Sequence, residues 1–288
     1  MAVQQEACIP RDKDHDGLNT SAVRQKVGER REAIRARTES SLAGSTTLDP
    51  QRTLLPSAGM SEAPFHVARK AGLGLAQLVI LIGLLLFLPA GTLRFVEGWV
   101  FLAVFSAASL SITIYLAKKD PALLARRTQA GPAAEKERSQ KVIQALASLA
   151  FASTIVVPAL DRRFRWSHAP WPLVILGDLW VGLGFLMVFL VFKQNSFTSS
   201  VIEVAAEQRV VDTGPYAVVR HPMYVGGLVL VIGIPLALGS LLGLVTFPLF
   251  AAVVVWRLLD EERFLTNNLP GYRAYLERTR YRLIPHVW

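Results

Sequence analysis

The stretch MYVGGLVLVIGIPLALGSLLGLVTFPLFAAVVVW, residues 223–256, carries no charged residue. As a single α-helix these 34 residues would extend about 51 Å, well past the ~30 Å hydrocarbon core of a bilayer. Pro235, Gly239, Ser240 and Gly243 stand near its middle, and residues of these types interrupt helices. The stretch therefore predicts a tight helical hairpin, 223–238 and 241–259, whose two ends return to the same membrane surface.

Further apolar runs lie upstream, near 71–91, 97–117, 142–160 and 171–192. Each is about the length a membrane helix needs. Composition agrees: 52% of the 288 residues are hydrophobic and 18% are charged, where a soluble domain carries about 25% charge. Mean hydropathy is +0.36. The expected fold is an all-α integral membrane protein with about six transmembrane helices, including the C-terminal hairpin. The predicted organisation is a polar, disordered N-terminal tail over 1–65 and a transmembrane domain over 66–288. Glycines 72, 74, 83, 182 and 184 are candidates for close helix packing. Trp99, Trp166, Trp171 and Trp180 are candidates for interface or packing positions.

Lys and Arg near the spans set the expected orientation. Arg69 and Lys70 precede the first span, and Lys118, Lys119, Arg126, Arg127, Lys136, Arg138 and Lys141 fill one connection. With six crossings these and the basic C-terminal tail share one side, expected to be cytoplasmic. DRRFRW (161–166) opposes this, placing three arginines on the other side. The net charge of +9 then reads as topology and contact with anionic lipid. No motif points to nucleic acid, and no Cys/His spacing points to a metal.

The first 60 or so residues are polar and lack the apolar core of a signal peptide. RREAIRAR (30–37) has the charge of a short surface helix, but the composition favours disorder. Asp12, Asp14, Asp16 and Gly17 imitate the start of a calcium loop, yet Val23 stands where that loop needs a bidentate Glu. Cys8 is the one cysteine, which excludes an internal disulfide. Met60 offers an alternative start that makes the tail dispensable.

The polar chemistry gathers at the two ends of the hairpin. At its start, Pro222 suits a first helical turn, and Arg220, His221 and Tyr224 crowd a helix N-terminus with free N–H groups. Such a place holds a polar or anionic ligand, or serves as an interfacial anchor. At its end, Arg257 is followed by three adjacent acids, Asp260, Glu261 and Glu262, where a helix C-terminus disfavours anions. Arg257 and Glu261 share a face, as a functional pair or as a solvated i,i+4 ion pair. The hairpin brings the two clusters together.

GPYAVVRHPMYVG (214–226), RLLDEE (257–262) and GYRAYLERTRYRLIP (271–285) resemble the isoprenylcysteine carboxyl methyltransferases and their bacterial relatives, with phospholipid methyltransferases and membrane sterol reductases sharing related turns. The resemblance covers about a third of the chain, 195–285. It implies a membrane enzyme of a bacterial inner membrane that uses S-adenosylmethionine, its site facing the cytoplasm. By resemblance, Gln208, Arg209, Val210 and Val211 lie along the cofactor. Tyr216, His221, Pro222, Met223 and Tyr224 form its turn, and Glu261 holds it. Arg257 contacts substrate, and Arg220 stands next to the reacting groups. The acceptor is expected to be lipophilic or lipid-modified, reached through a lipid-open groove. A carboxylate acceptor is ionised at neutral pH and needs a cation, Arg220 or Arg257, rather than a base. An amine acceptor would need deprotonation, by His221 or Glu262. An NADPH-dependent reductase and a non-enzymatic scaffold are the alternatives from other classes.

Overall fold

The computed structural model of the chain describes residues 64–128, 135, 138–198 and 208–288, all within Ser61–Trp288. The expectations for the N-terminal tail, for Cys8, for the Asp12–Gly17 acids and for Lys136 concern residues outside these.

Every regular element among the described residues is helical. They are α1 (Pro64–Ala90), α2 (Val96–Lys119), α3 (Pro121–Thr128), α4 (Arg138–Phe164), α5 (Trp171–Gln194), α6 (Pro222–Ala237), α7 (Thr246–Asn268) and α8 (Tyr272–Arg278), with 3₁₀ turns at Gly214–Ala217 and Leu242–Val245. Five helices are long and apolar enough to cross a membrane: α1, α2, α4, α5, and α7 together with the turn before it. Only 17–33% of the most apolar stretch of each is buried inside the protein. Leu73, Ile80, Leu88, Leu149, Leu179 and Leu249 point outward, an apolar surface suited to lipid. The chain is a multi-pass membrane protein.

The expected sixth span is a shorter element. α6 has 16 residues, about 24 Å, less than the hydrocarbon core. Pro222 opens it. Gly239, at φ +74°, closes it, with its amide donating to Leu236 O (2.9 Å) and that of Ser240 to Pro235 O (2.9 Å). This left-handed closure is the kind glycine permits. The break falls at the position predicted for it, but the second arm starts five residues later than expected, at Thr246 after the 3₁₀ turn.

α6 packs along α5 over its whole length because four glycines remove side chains between them. A Cβ on Gly177 would lie 2.1 Å from the Ala237 amide nitrogen, and one on Gly184 would lie 2.5 Å from Leu230 Cβ. Gly226 and Gly233 meet α5 from the other side, with would-be Cβ contacts of 3.1 and 2.8 Å to the Gly184 and Gly177 carbonyls. Gly184 was expected in this role. Gly72, Gly74 and Gly182 have nothing within 4 Å at the Cβ position, so the sequence pattern misassigned them.

The end of the bundle that contains the α6–α7 turn is tied to the α4–α5 connection. Asp161 is 1% exposed. Its Oδ1 accepts from the Ser167 amide (2.6 Å), and its Oδ2 accepts from the hydroxyls of Ser167 and Ser240. Ser167 Oγ in turn accepts from the amides of Leu241 (3.1 Å) and Leu242 (2.9 Å). The acid that opens DRRFRW is therefore structural, while Arg162 and Arg163 spread over the rings of Phe95 (5.5 Å) and Phe164 (5.6 Å). Trp99, Trp166 and Trp171 are exposed at this same end, as an interfacial belt requires. Asp161→Ala leaves two hydroxyls and an amide without their acceptor, and is expected to cost about 1–3 kcal/mol in detergent unfolding. Unfolding at the wild-type midpoint would show that the knot contributes nothing.

Candidate active site

Segments distant in sequence converge at the other end of the bundle. The first is α3. Asp120 Oδ1 accepts from the Leu123 amide (2.8 Å), Pro121 occupies the first turn, and Leu123 and Leu124 are buried. These features start and seat a helix of only eight residues. Its last turn carries Arg126, which donates to Ser196 O, and Arg127, whose guanidinium lies 5.0 Å from the Phe192 ring centre and 3.9 Å from Met223 Sδ. Burial first, and the charge of Arg257 as well, lower the pKa of Arg127 to about 10, so it remains a cation at neutral pH.

The second segment is the turn into α6. Arg220 N donates to Tyr281 O (2.9 Å) and His221 N donates to Arg282 O (3.1 Å), so the C-terminal segment holds this turn by its backbone. Tyr216 is fixed at both ends: Asn195 Nδ2 donates to its hydroxyl (3.1 Å), and Tyr275 Oη donates to its carbonyl (2.9 Å). Burial chiefly pushes the Tyr216 phenol up to about 12.

The third is the end of α7. Adjacent helical residues lie about 100° apart, so three consecutive acids must face three directions. Asp260 accepts from Gln140 of α4. Glu261 Oε2 accepts from the Tyr224 hydroxyl (2.6 Å). Glu262 turns to the C-terminal side: Oε1 receives Arg220 Nη1 (3.0 Å) and His221 Nε2 (3.2 Å), and Oε2 receives Arg282 Nε (2.9 Å). A carboxylate offers only acceptors here, so the imidazole proton of His221 sits on Nε2. Arg257 donates to Glu135 Oε1 (2.9 Å) and to Gln140 Oε1 (3.1 Å). The solvated-face reading of this cluster is ruled out, because its charges are bonded to three other segments.

Together these segments enclose a cavity of about 400 Å³, within the usual range for small-molecule sites. Gln208, Arg209, Val210, Val211, Tyr216, Arg220, His221, Pro222, Met223, Tyr224, Arg257 and Glu261 all line it. Glu262 does not; it lies behind Arg220 and His221, with both oxygens taken up. Sequence reasoning missed Arg127, Gln144, Asn195, Tyr272 and Tyr275, which also line the cavity. Arg127 was visible as a cation at the end of a capped helix, and the tyrosines stood within GYRAYLER. Ala147 of α4 and Phe250 and Val254 of α7 extend the wall into the spans. Two buried donors of lining residues, Arg220 Nε and Tyr272 Oη, have no hydrogen-bond partner among the described residues. No group of three or more His, Cys, Asp or Glu able to hold a metal occurs among the described residues.

Residues 172–270 match the phospholipid methyltransferase family. That family lies in the group of membrane methyltransferases that includes the isoprenylcysteine carboxyl methyltransferases. The phospholipid methyltransferase segment runs from α5 through the hairpin to the end of α7, so it contains both clusters that face the cavity and stops before α8. Together with the apolar spans it supports a membrane methyltransferase. The chain is 28% identical to the cobalt-zinc-cadmium resistance protein CzcN of Cupriavidus metallidurans over 43% of its own length and 58% of that protein. It is 26% identical to the nickel-cobalt-cadmium resistance protein NccN of Alcaligenes xylosoxydans over 43% and 59%. It is also 30% identical to the Delta(14)-sterol reductase of Mus musculus over 34% of the chain and 25% of the reductase. The chain thus spans less than two thirds of each of these relatives.

Proposed function

We propose that this chain is an S-adenosylmethionine-dependent methyltransferase that O-methylates the carboxylate of a lipophilic, isoprenylcysteine-like acceptor, with its site facing the cytoplasm. The observation that carries this is the cavity itself, which joins the turn of the phospholipid methyltransferase segment to its acidic cluster and then continues between α4 and α7. When bound, S-adenosylmethionine supplies a sulfonium-activated methyl group.

The residues suit that group. Glu261 has about four lone-pair sites and gives one direction to Tyr224, so it can accept from ribose hydroxyls or an ammonium. The Tyr216 and Tyr224 rings offer faces to a cation or to a purine. Gln208 to Val211 form an adjacent strip along the wall. The chain's part in transfer is positioning and exclusion of water, which the buried turn and its C-terminal cover provide. Arg220 holds an acceptor anion near the turn while Glu262 fixes its geometry. Arg257, held by Glu135 and Gln140, faces the part of the wall that leads toward the spans, where a lipophilic tail enters past Ala147, Phe250 and Val254.

Charge favours a carboxylate over an amine. Among the described residues Arg127, Arg209, Arg220 and Arg257 line the cavity with Glu261, and counting Glu262 and Glu135, which pair with Arg220 and Arg257, four cations meet three acids. A protonated amine would meet that excess of positive charge unfavourably, whereas a carboxylate is drawn to it. A phospholipid amine is the second reading, favoured by the description of the matching family.

Isothermal titration of detergent-purified protein with S-adenosylmethionine and with NADPH tests the cofactor. S-adenosylmethionine is expected to bind, and Glu261→Gln is expected to weaken it by about tenfold, as loss of a charge-assisted hydrogen bond does. NADPH binding in its place would establish a reductase, and binding of neither a scaffold. Radiolabelled methyl transfer to prenylcysteine and to phosphatidylethanolamine separates the two acceptors.

A further inference from the structure

Tyr272 is 4% exposed, lines the cavity, and has a hydroxyl with no hydrogen-bond partner among the described residues. A buried hydroxyl left unpaired is costly, and protein interiors rarely keep one without use. The rest of the residue is well seated: it opens α8 after Gly271, whose φ is +83°, and packs with Leu269 and Tyr275. Its ring is therefore fixed in the cavity wall, with the hydroxyl buried there. Burial, with the charges of Glu261 and Glu262, raises the phenol far above its ordinary range, so the group stays an O–H donor.

Arg220 has the same unfinished character at one atom. Its Nη1 and Nη2 are engaged with Glu262 Oε1 (3.0 Å) and Arg280 O (3.1 Å), while Nε is buried and without a partner among the described residues. The residue is 9% exposed and lines the same cavity. Tyr272 lies close enough to Arg220 for the guanidinium's charge to act on its phenol. Two donors, one charged and one neutral, thus belong to residues of one cavity wall and are buried there without a partner among the described residues. What satisfies both is an oxygen that only accepts, and an anionic one best.

We infer that Tyr272 Oη and Arg220 Nε form a two-donor cradle for a carboxylate oxygen, making Tyr272 a ligand-binding residue of this site. The assignment builds on the methyltransferase reading, in which two carboxylates enter the cavity. One is the amino-acid end of S-adenosylmethionine, and the other belongs to the acceptor. Tyr272 lies beyond the matched family segment, which ends at residue 270.

Tyr272→Phe removes only the hydroxyl. Because that hydroxyl is unpaired among the described residues, the variant is expected to unfold at or above the wild-type temperature, unlike a structural hydrogen-bonding residue. Ligand binding should fall by about tenfold or more, the usual worth of a hydrogen bond to a charged group. Titration with S-adenosylmethionine and with its decarboxylated analogue, beside the KM for a prenylcysteine acceptor, identifies the carboxylate. Weaker binding of S-adenosylmethionine with unchanged binding of the decarboxylated analogue assigns the cofactor's end. Unchanged cofactor affinity with a tenfold higher acceptor KM assigns the acceptor's end. Stable Tyr272→Phe protein with wild-type affinity and KM overturns the cradle and leaves the methyltransferase reading intact. Wild-type protein that binds no S-adenosylmethionine overturns both. Should the variant not fold, 3-fluorotyrosine at position 272 reports directly: a ¹⁹F shift on adding ligand supports the contact, and an unmoved resonance rejects it.

Discussion

Glu262→Gln is expected to cost the protein about 3 kcal/mol of folding stability and most of its ligand binding. The glutamate is 7% exposed and holds three cationic or proton-donating groups, Arg220, His221 and Arg282. Removing one partner of a buried charge group leaves the others uncompensated, which costs about 3–5 kcal/mol. The low end applies because the Arg282 side chain is 29% exposed and water screens part of its charge. The glutamine preserves size, so the loss isolates charge rather than packing. It also has an N–H₂ group, which would face donors where the native oxygen accepts. Because the same carboxylate fixes the Arg220–His221 turn, cofactor affinity should fall along with stability. Chemical unfolding in detergent and titration on the same preparations check both. A Glu262→Gln protein as stable as wild type but inactive would point instead to the proton-transfer role that an amine acceptor requires.

Gly177→Ala should be comparably damaging for a different reason. The added methyl would stand 2.1 Å from the Ala237 amide nitrogen and 2.7 Å from the Leu236 carbonyl carbon, and backbone cannot move aside as a side-chain tip can. α5 and α6 must separate, and overpacking of this kind costs about 1–3 kcal/mol, occasionally more. The control is five residues away on the same helix. Gly182 has nothing within 4 Å of its Cβ position, so Gly182→Ala should be neutral or gain up to about 1 kcal/mol from helix propensity. Thermal unfolding of the two variants side by side is the test. Equal behaviour would mean that the α5–α6 contact is looser than the structure shows. Since α6 begins at the turn that lines the cavity, Gly177→Ala should also weaken cofactor binding, whereas Gly182→Ala should leave it unchanged.

These two residues show where sequence reading succeeded and where it stopped. Residues 223–256 announced a hairpin because length and hydropathy alone forbid a single span, and Gly239 marked its turn because the left-handed backbone there suits glycine. Four of the long spans were legible as apolar runs, and the fifth as the hairpin's second arm. The meeting of the turn with the acidic cluster followed from the hairpin's geometry, since both its ends return to one surface. Gln208 to Val211 and Tyr216 were legible only through the family resemblance, and they line the same cavity as the two clusters.

Other features depend on neighbours that no local pattern encodes. Gly177 and Gly182 look alike in sequence, and only the helix across from them decides that one is obligatory and the other is not. Asp260, Glu261 and Glu262 form one acidic run, yet helical rotation delivers them to three separate partners, so one lines the cavity and another is buried behind it. Arg257 turned to Glu135 and Gln140, more than a hundred residues upstream, a pairing set by where the start of α4 docks. Arg127 and Tyr272 reached the cavity from elements on either side of the matched segment. Sequence by itself determined which stretches enter the membrane and which end carries the chemistry, because hydropathy and helix length are additive along the chain. Tertiary structure decided which charges are neutralised, which donors stay open and which residues meet, because those depend on distance and burial between segments that the chain order separates.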